Sequence, residues 1–318
     1  MKLSLHASPN LGCGINFAMN KLYKITVITI AVFLLLAAAI SLVARNHALE
    51  LVYFPLEERN QLTLTPAAFS LQYEDVLTQS SDGNIIHAWY IPSKNGAGVI
   101  LQHGFKSNRE ELLEEAAMLA NHGFGVLVTS IRAHDVNEGE LITFGFKELP
   151  DIEAWVKFFE GQEGIERIGM LGNSLGGSLI IQYAAENEDI KAVVAHSAFS
   201  SMRDTINTSV GYFTGLPAFP FASLIAFWAE QEINGDIDDI DAKKWIGDIS
   251  PRPVLILHSL SDIVISPLSG EQLFAFASEP KELWQVEGVK HASFDTELPD
   301  EFENKIVSFF DQYLLESE

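Results

Sequence analysis

The sequence has little cysteine, with Cys13 as the single one in 318 residues. Because a disulfide within one chain needs two cysteines, the fold has to be stabilised without a cross-link of that kind. Cys13 also precedes the long apolar run of the chain, whereas the cysteine of a lipoprotein follows the apolar part of its signal. The sequence therefore does not favour a lipoprotein.

Basic residues are also scarce, with 20 Lys and Arg against 43 Asp and Glu and a formal net charge of −23. This balance disfavours binding to nucleic acid and electrostatic binding to an anionic membrane surface. We interpret the excess carboxylates, including Asp236, Asp238, Asp239 and Asp241, as a solvated surface and not as a metal site. Because 47% of the residues are hydrophobic and glycine and proline are not in excess, most of the chain is predicted to be globular.

One run of 20 residues, 25–44, contains no charge. As a helix it is long enough to cross a hydrocarbon core of about 30 Å. Lys2, Lys21 and Lys24 precede it, which favours a cytoplasmic N-terminus and an extracytoplasmic domain. A cleavable signal peptide is the alternative, because the alanines at 37–39 are small enough for a signal peptidase, but the length of the run favours an uncleaved anchor.

The rest of the chain is predicted to form one catalytic domain with an insertion. The predicted organisation is a cytoplasmic segment at 1–24, a transmembrane anchor or signal peptide at 25–44, a linker at 45–70, and a domain at 71–318 with a cap at about 202–249. The cap interrupts the strand-helix pattern over a length typical of active-site lids, although an extra packed element is an equally good interpretation. Met19 begins a short basic segment and is an alternative start of the protein.

Short apolar runs alternate with helical patterns through the domain. Residues 71–78 and 85–91 flank Asp82-Gly83, which predicts a hairpin of antiparallel strands. Ser107 and Glu110 have the spacing of a capping box at the start of a helix. Further strands are predicted at 98–102, 124–131, 167–171, 190–195, 253–257 and 283–286, and helices at 107–121, 147–160, 175–186, 268–277 and 299–315. The alternation predicts an α/β fold with a mostly parallel central sheet, helices on both faces and antiparallel N-terminal strands.

A turn of small residues, GNSLGG at 172–177, joins a predicted strand to a predicted helix. This arrangement is typical of a nucleophile elbow, in which a serine is held in a strained conformation and glycines avoid a collision across the bend. Ser174 is therefore predicted to be the nucleophile. The amide of Leu175, in the first turn of the helix, is predicted to stabilise a developing oxyanion.

Several segments resemble, in the same order, the alpha/beta-hydrolase superfamily. They are IHAWYIP at 86–92, LQHGF at 101–105, SIRAH at 130–134, the turn at 172–177 and PRPVLI at 251–256. The resemblance covers about residues 73–315 and is greatest to membrane-anchored or exported serine hydrolases near the serine aminopeptidase and acyl-peptidase branches. It implies the alpha/beta-hydrolase fold and a catalytic triad in the chain order serine, acid, histidine.

The resemblance also implies the other members of a catalytic site. Asp262 follows the predicted strand at 253–257, where the family has its acid, and His291 follows the last predicted strand, where the family has its base. The amide of Phe105 is implied to be the second oxyanion donor, whereas His103 is expected to be structural. The implied chemistry needs no metal and no organic cofactor.

Other residues leave alternatives open. His134 and His196 are weaker candidates for the base. Ser130 stands where relatives often have Asp, and Asp135 and Ser259 stand where they often have Gly. These departures leave the triad intact, but they predict loops of different shape and a different substrate preference.

The sequence thus predicts an exported, membrane-anchored serine hydrolase that cleaves a carboxylic ester or amide through an acyl-enzyme on Ser174. Its expected partners are a small-molecule substrate and the lipid bilayer. A small ester is favoured over a peptide, because the chain has no propeller domain of the kind that many acyl-peptidases use to filter substrates. A non-catalytic binding protein on the same fold is the third interpretation.

Overall fold

The computed structural model describes residues 12–315, with side chains described from residue 21 onward, so residues 1–11 of the predicted cytoplasmic segment lie outside the described part. A long N-terminal helix precedes an α/β domain. The helices are α1 (Gly12–Val52), α2 (Leu113–Asn121), α3 (Glu148–Glu160), α4 (Leu175–Glu186), α5 (Met202–Thr214), α6 (Ala218–Ile233), α7 (Ala242–Trp245), α8 (Leu268–Phe276), α9 (Phe294–Glu297) and α10 (Pro299–Phe310). The strands are β1 (Glu74–Gln79), β2 (Ile85–Ile91), β3 (Ala97–Gln102), β4 (Gly125–Thr129), β5 (Arg167–Asn173), β6 (Ile190–His196), β7 (Val254–Ser259) and β8 (Lys281–Val286).

The eight strands form one sheet in the order β1-β2-β4-β3-β5-β6-β7-β8. β2 pairs antiparallel with both β1 and β4, and the remaining pairs are parallel. The central strands β3 and β4 are buried along their whole length, and β5 is buried after its first residue, because helices cover the sheet on both faces. The predicted α/β fold class, with a mostly parallel sheet and antiparallel N-terminal strands, is confirmed.

Side chains of the central strands alternate between two apolar layers. Ile100 and Met170 lie in the layer that contains α3, α4 and the inserted helices. Leu101 and Leu171 lie in the opposite layer, which contains α2 and α10. Because parallel strands share one carboxyl edge, the loops that follow β3, β5, β7 and β8 meet there. The predicted site residues all belong to these loops.

Helix α1 continues beyond the predicted membrane segment and ends at Val52. Ala44, Ala48 and Val52 are fully buried against the domain, at the four-residue spacing of one helix face. The segment at 45–70, expected to be a linker, therefore begins as a docked helix. Polar residues separate these buried positions, among them Arg45, Asn46 and Glu50, so the sequence alone suggests a linker.

Two elements have the length and composition to enter a membrane. Among the described residues, Lys21–Val52 is the one helix that is long and apolar enough to cross a bilayer by itself. The helices α5 and α6 meet the same criterion only as a bent pair, with 111° between them. These two helices form most of the predicted cap at 202–249, which also contains α7.

The predicted helix at 107–121 starts with a different cap. The Oδ1 atom of Asn108, and not the hydroxyl of Ser107, accepts the amide of Glu110, at 2.9 Å. The first turn, Arg109–Leu112, is a 3-10 helix that leads into α2. The Glu110 carboxylate accepts amides of the distant segment before β1, so the predicted capping box is wrong.

A buried arginine ties the hairpin turn and α3 to the loop after β4. Arg132 donates to Asp151 of α3 at 2.6 and 2.7 Å and to Asp82 of the turn at 2.8 and 3.3 Å. The side chains of Arg132 and Asp151 are 7% and 5% exposed. Burial raises the pKa of Asp151 although the guanidinium acts in the opposite direction. Each charge therefore depends on the other for compensation.

We expect Arg132→Met to lower the free energy of unfolding by about 3–5 kcal/mol, because the Asp151 carboxylate would lose its compensating charge in a buried place. Urea unfolding of the full chain in detergent micelles would measure the effect. Arg203→Met is the control, since Arg203 pairs with Glu230 and Asp238 while 45% exposed and is expected to cost at most about 1 kcal/mol. Equal losses in the two variants would contradict the interpretation.

Candidate active site

The turn at 172–177 has the geometry of a strained strand-to-helix bend. β5 ends at Asn173, α4 begins at Leu175, and Ser174 between them has φ 52° and ψ −113°. Its amide donates to the carbonyl of His196 at 2.8 Å. A Cβ atom on Gly176 would lie 2.1 Å from the Gln102 carbonyl oxygen, so that position has room for glycine alone. The bend exposes the Ser174 side chain at the carboxyl edge of the sheet.

The structure brings Ser174, His291 and Asp262 into one chain of hydrogen bonds. His291 Nε2 lies 2.9 Å from Ser174 Oγ, and His291 Nδ1 lies 2.6 Å from Asp262 Oδ2. The Asp262 side chain is fully buried, whereas that of His291 is 18% exposed. A serine, an imidazole and a buried carboxylate in this order can deprotonate the serine hydroxyl as it attacks.

The second oxygen of Asp262 fixes its orientation. Oδ1 accepts the amides of Val264 at 2.8 Å and Ile265 at 2.9 Å. Burial by itself would raise the pKa of Asp262, but the hydrogen bond and charge of His291, together with these amides, outweigh it and lower the pKa. The carboxylate is therefore ionised and keeps one oxygen for the imidazole.

Serine hydroxyls tie the loop after β7 to the loop after β8. Ser259 Oγ donates to the Val289 carbonyl, and Ser261 Oγ accepts the Gly288 amide at 2.9 Å. Ser259 is the residue that replaces a frequent glycine, so this departure supplies a cross-link between the loops that carry Asp262 and His291. The sequence has no signal for this cross-link, because its partners are backbone groups of a distant segment.

The loop after β3 lies directly against Ser174. A Cβ atom on Gly104 would lie 3.4 Å from Ser174 Cβ. The Gly104 amide donates to Glu111 at 3.1 Å, and the Lys106 amide donates to His134 Nε2 at 2.9 Å. Phe105 is thus held between two fixed amides. Phe105 and Leu175 line the same cavity as Ser174 and His291, so their backbones border the place where an oxyanion would form.

The histidines considered as weaker bases have other contacts. His134 is buried and, besides accepting from Lys106, its Nδ1 lies 2.8 Å from the Arg132 carbonyl. His196 is buried beside Phe294, and its Nδ1 lies 3.0 Å from Asn173 Oδ1. His103, expected to be structural, accepts the Ile131 amide at 3.1 Å.

The other sequence departures also have packing partners. Asp135 accepts from Arg109 Nε at 2.6 Å, with both side chains at most 4% exposed. It replaces a glycine that relatives often have, and its φ of 52° is the left-handed conformation that favours glycine. The buried ion pair holds the loop in that conformation. Ser130 is buried, and its carbonyl accepts the Asn137 side-chain amide at 2.8 Å.

A cavity of about 590 Å³ opens beside Ser174 and His291. Its walls are mainly apolar and come from the loop after β3, from α5 and α6, and from the end of α1. The apolar lining residues include Leu51, Phe105, Phe144, Phe199, Met202, Ile206, Val210, Phe213, Ile225, Val264 and Ile265. The predicted cap thus borders the site, which the sequence left undecided. The participation of α1 was not predicted.

Comparison with known proteins agrees with the fold. Residues 99–220 match the family described as having the alpha/beta hydrolase fold. The YfhR protein of Escherichia coli K12 is 24% identical over 250 residues, which are 74% of this chain and 80% of YfhR. The alpha/beta hydrolase domain-containing protein WAV2 of Arabidopsis thaliana is 28% identical over 72% of this chain and 75% of WAV2. The solved Pf2001 esterase of Pyrococcus furiosus has a TM-score of 0.71 and 25% identity, and the match covers 83% of this chain and 98% of the esterase.

Four buried histidines surround the site in the neutral form. Burial lowers the pKa of His103, lowers that of His134 well below its usual value, and lowers those of His196 and His258 to about 3 and about 4. An unfolded histidine has a pKa of about 6.5, so the unfolded chain binds more protons than the folded one below that pH. The contribution of these residues to stability is therefore lost as the pH falls below about 6.5.

We expect the free energy of unfolding to fall between about pH 7.5 and about pH 5, and to fall by about 2 kcal/mol less in His258→Gln. Glutamine stays neutral and can donate to the Ser266 carbonyl, which lies 3.1 Å from His258 Nε2. Burial of Asp295 raises its pKa to about 6, so this group makes the folded chain more stable as the pH falls, opposite to the histidines. Its contribution is the same in wild type and variant and cancels when the two are compared. Urea unfolding at both pH values is the measurement, with His122→Gln, a 42% exposed position, as the control. The same pH dependence in His258→Gln and wild type would contradict the assignment.

Proposed function

We propose that this chain, which belongs to the alpha/beta-hydrolase superfamily, is a serine hydrolase that cleaves a carboxylic ester or amide through an acyl-enzyme on Ser174. One observation carries the proposal. Hydrogen bonds run from Ser174 Oγ through His291 to the buried Asp262 carboxylate, at the wall of an apolar cavity that a substrate can enter. A binding protein would have no use for a strained serine with an imidazole at 2.9 Å.

In the proposed reaction, His291 Nε2 takes the proton of Ser174 as Oγ attacks the acyl carbonyl carbon. A C–O bond forms, and the carbonyl electron pair moves to the oxygen. When the tetrahedral intermediate collapses, the leaving alcohol or amine takes the proton from His291. Water then attacks the acyl-enzyme with the same proton transfers, releasing the acid and restoring Ser174. The Asp262 carboxylate stabilises the imidazolium in both halves.

The amides of Phe105 and Leu175 are the proposed oxyanion donors. Leu175 is the first residue of α4, where backbone N–H groups are free of helical partners and the helix dipole favours negative charge. Phe105 belongs to the loop that Glu111 and His134 fix from both sides. Loss of one such donor typically lowers turnover by a factor of about 10² to 10³.

An ester is the favoured substrate. The cavity walls beside Ser174 are mainly apolar and suit an acyl group. The Pf2001 protein, which is similar in structure over most of this chain, is described as an esterase. We propose further that α1 is an uncleaved anchor, because its last turns are buried in the domain, and that the domain is extracytoplasmic, because Lys21 and Lys24 precede the apolar run.

We expect a fluorophosphonate probe to label the wild-type chain and to fail to label Ser174→Ala, because the probe needs an activated serine nucleophile. Labelling is read on a gel by the fluorescence of the probe. Ser278→Ala, at an exposed position away from the cavity, is the control and should keep full labelling. A folded wild-type protein that takes no label would indicate the binding-protein interpretation.

We expect Asp262→Asn to lower kcat by a factor of about 10⁴. If the asparagine oxygen keeps the Val264 and Ile265 amides, its NH₂ group faces His291 Nδ1, which must then accept a hydrogen bond. Nε2 would carry the proton and could no longer accept that of Ser174. Hydrolysis of p-nitrophenyl esters is the assay, with the exposed Asp248→Asn as the control. A loss of less than about tenfold would contradict the role of Asp262.

A further inference from the structure

Helix α6 runs alongside α1 in the same direction. Trp228 Nε1 donates to Ser41 Oγ at 3.1 Å, and one turn further on both helices Arg45 donates to Glu232 at 3.2 Å. The two contacts have the same separation of 187 residues in sequence. The residues of α6 before Trp228 therefore extend toward the apolar run of α1 at 25–44. The first turns of α6 lie at the level of that run.

The ion pairs that join α1, α5 and α6 lie at about the same level. Arg203 of α5 pairs with Glu230 of α6 at 2.8 Å, near the pair formed by Arg45 and Glu232. Between these positions the chain has no charged residue over 205–229, a run of 25 residues in a protein of which 20% is charged. The uncharged end of the α5–α6 hairpin, residues 211–227, which we call its tip, lies within this run. The hairpin is thus ionic at its base and uncharged beyond it.

Large apolar side chains of the tip are exposed. Phe219 is 88% exposed, Phe213 59%, Tyr212 58% and Phe227 48%. Exposed aromatic residues grouped beside a membrane-spanning helix are typical of a surface that enters the lipid interface. The surface is continuous with α1, which is itself exposed over residues 21–39 and apolar from residue 25 onward. A bilayer that surrounds α1 would also cover this tip.

The cavity connects this tip to the nucleophile. Ser174 and His291 lie at one end of it, and Tyr212, Phe213 and Thr214 at the end of α5 line the other. Between them, α5 rises about 18 Å. Of the α5 residues that line this path, Met202, Ile206 and Val210 are apolar. The hydroxyls of Thr205 and Ser209, which also line it, donate to carbonyls of their own helix. The path from the tip to Ser174 is therefore an apolar channel of acyl-chain length.

We propose that the tip of the α5–α6 hairpin is inserted in the bilayer beside α1, and that the substrate is a long-chain acyl ester of the membrane that enters the cavity directly from the lipid. The proposal rests on the proposed hydrolysis at Ser174. An acyl chain that moves from lipid into an apolar channel never exposes its methylenes to water, so the entry from the bilayer avoids the main cost of extracting a lipid. The ester carbonyl then reaches Ser174 behind the ionic boundary.

The test uses the full chain in phosphatidylcholine vesicles with two esters of the same leaving group, p-nitrophenyl palmitate within the bilayer and p-nitrophenyl butyrate in solution. In Phe219→Asp and Phe227→Asp, palmitate hydrolysis should fall at least about tenfold, because a carboxylate is unfavourable in lipid. Butyrate hydrolysis should stay within about twofold of wild type, since neither side chain lines the cavity. Phe276→Asp on α8, 58% exposed, is the matched control and should leave both rates within about twofold of wild type.

Unchanged palmitate hydrolysis in both tip variants would overturn entry from the bilayer. An equal loss of palmitate and butyrate hydrolysis would also overturn it, because the substitutions would then disturb the fold and not the delivery of the lipid substrate. Variants that dissociate a wild-type dimer while keeping palmitate activity would assign the tip to contact with a second copy. A wild type that cleaves butyrate but not palmitate overturns the long-chain substrate and leaves the hydrolase proposal intact. Cleavage of neither ester, with no fluorophosphonate labelling, would refute the hydrolase itself.

Discussion

The close approach of two backbone segments at the start of α4 determines the geometry of the rest of the site. The Gly176 Cα lies so near the Gln102 carbonyl that no side chain fits between them. This contact brings the end of β3 against the bend after β5, and it places the loop that carries Phe105 beside Ser174. The strained conformation of Ser174 is held by the helix that follows and by its bond to His196. The geometry around Ser174 is therefore set first by main-chain packing and only then by side chains.

Around this bend, buried polar side chains satisfy the amides that the strand ends leave without sheet partners. His103 and His134 each accept a backbone amide, which an imidazole can do only when it is neutral. Glu111 accepts the Gly104 amide of the loop after β3, and Ser259 donates to the Val289 carbonyl of the loop after β8. Such side chains make the loops rigid enough to keep an imidazole within 2.9 Å of a hydroxyl. The many buried polar groups at this edge of the sheet thus hold the loops of the site in position.

Most of the fold could be predicted from the sequence because the local turn signals agreed with the strand-helix alternation of the whole domain. The bounds of β2 and α4 coincide with the prediction, since a hairpin turn and the GNSLGG bend mark them without ambiguity. Ser174 follows from local turn chemistry, whereas Asp262 and His291 follow from chain order, strand-end position and the family resemblance. The structure holds the three side chains within hydrogen-bond distance. The end of α1 was not predictable, because its docking face is made of alanines that any exposed helix could carry. The loop cross-links were not predictable either, since their partners are backbone groups of a distant segment.

Helix α1 also fixes the distance between the apolar run and the cavity beside Ser174. Its last turns supply His47, Glu50 and Leu51 to the cavity beside Ser174, so one helix carries both the apolar run and part of the cavity wall. Leu51 lies seven residues beyond the end of that run, which corresponds to about 10 Å of helix. The polar layer on each side of a hydrocarbon core is only slightly thinner, at about 5–8 Å. Where α1 spans a bilayer, a fixed number of helical residues sets the height of Ser174 above the hydrocarbon core. A thicker or thinner membrane would therefore change the position of Ser174 relative to the lipid headgroups.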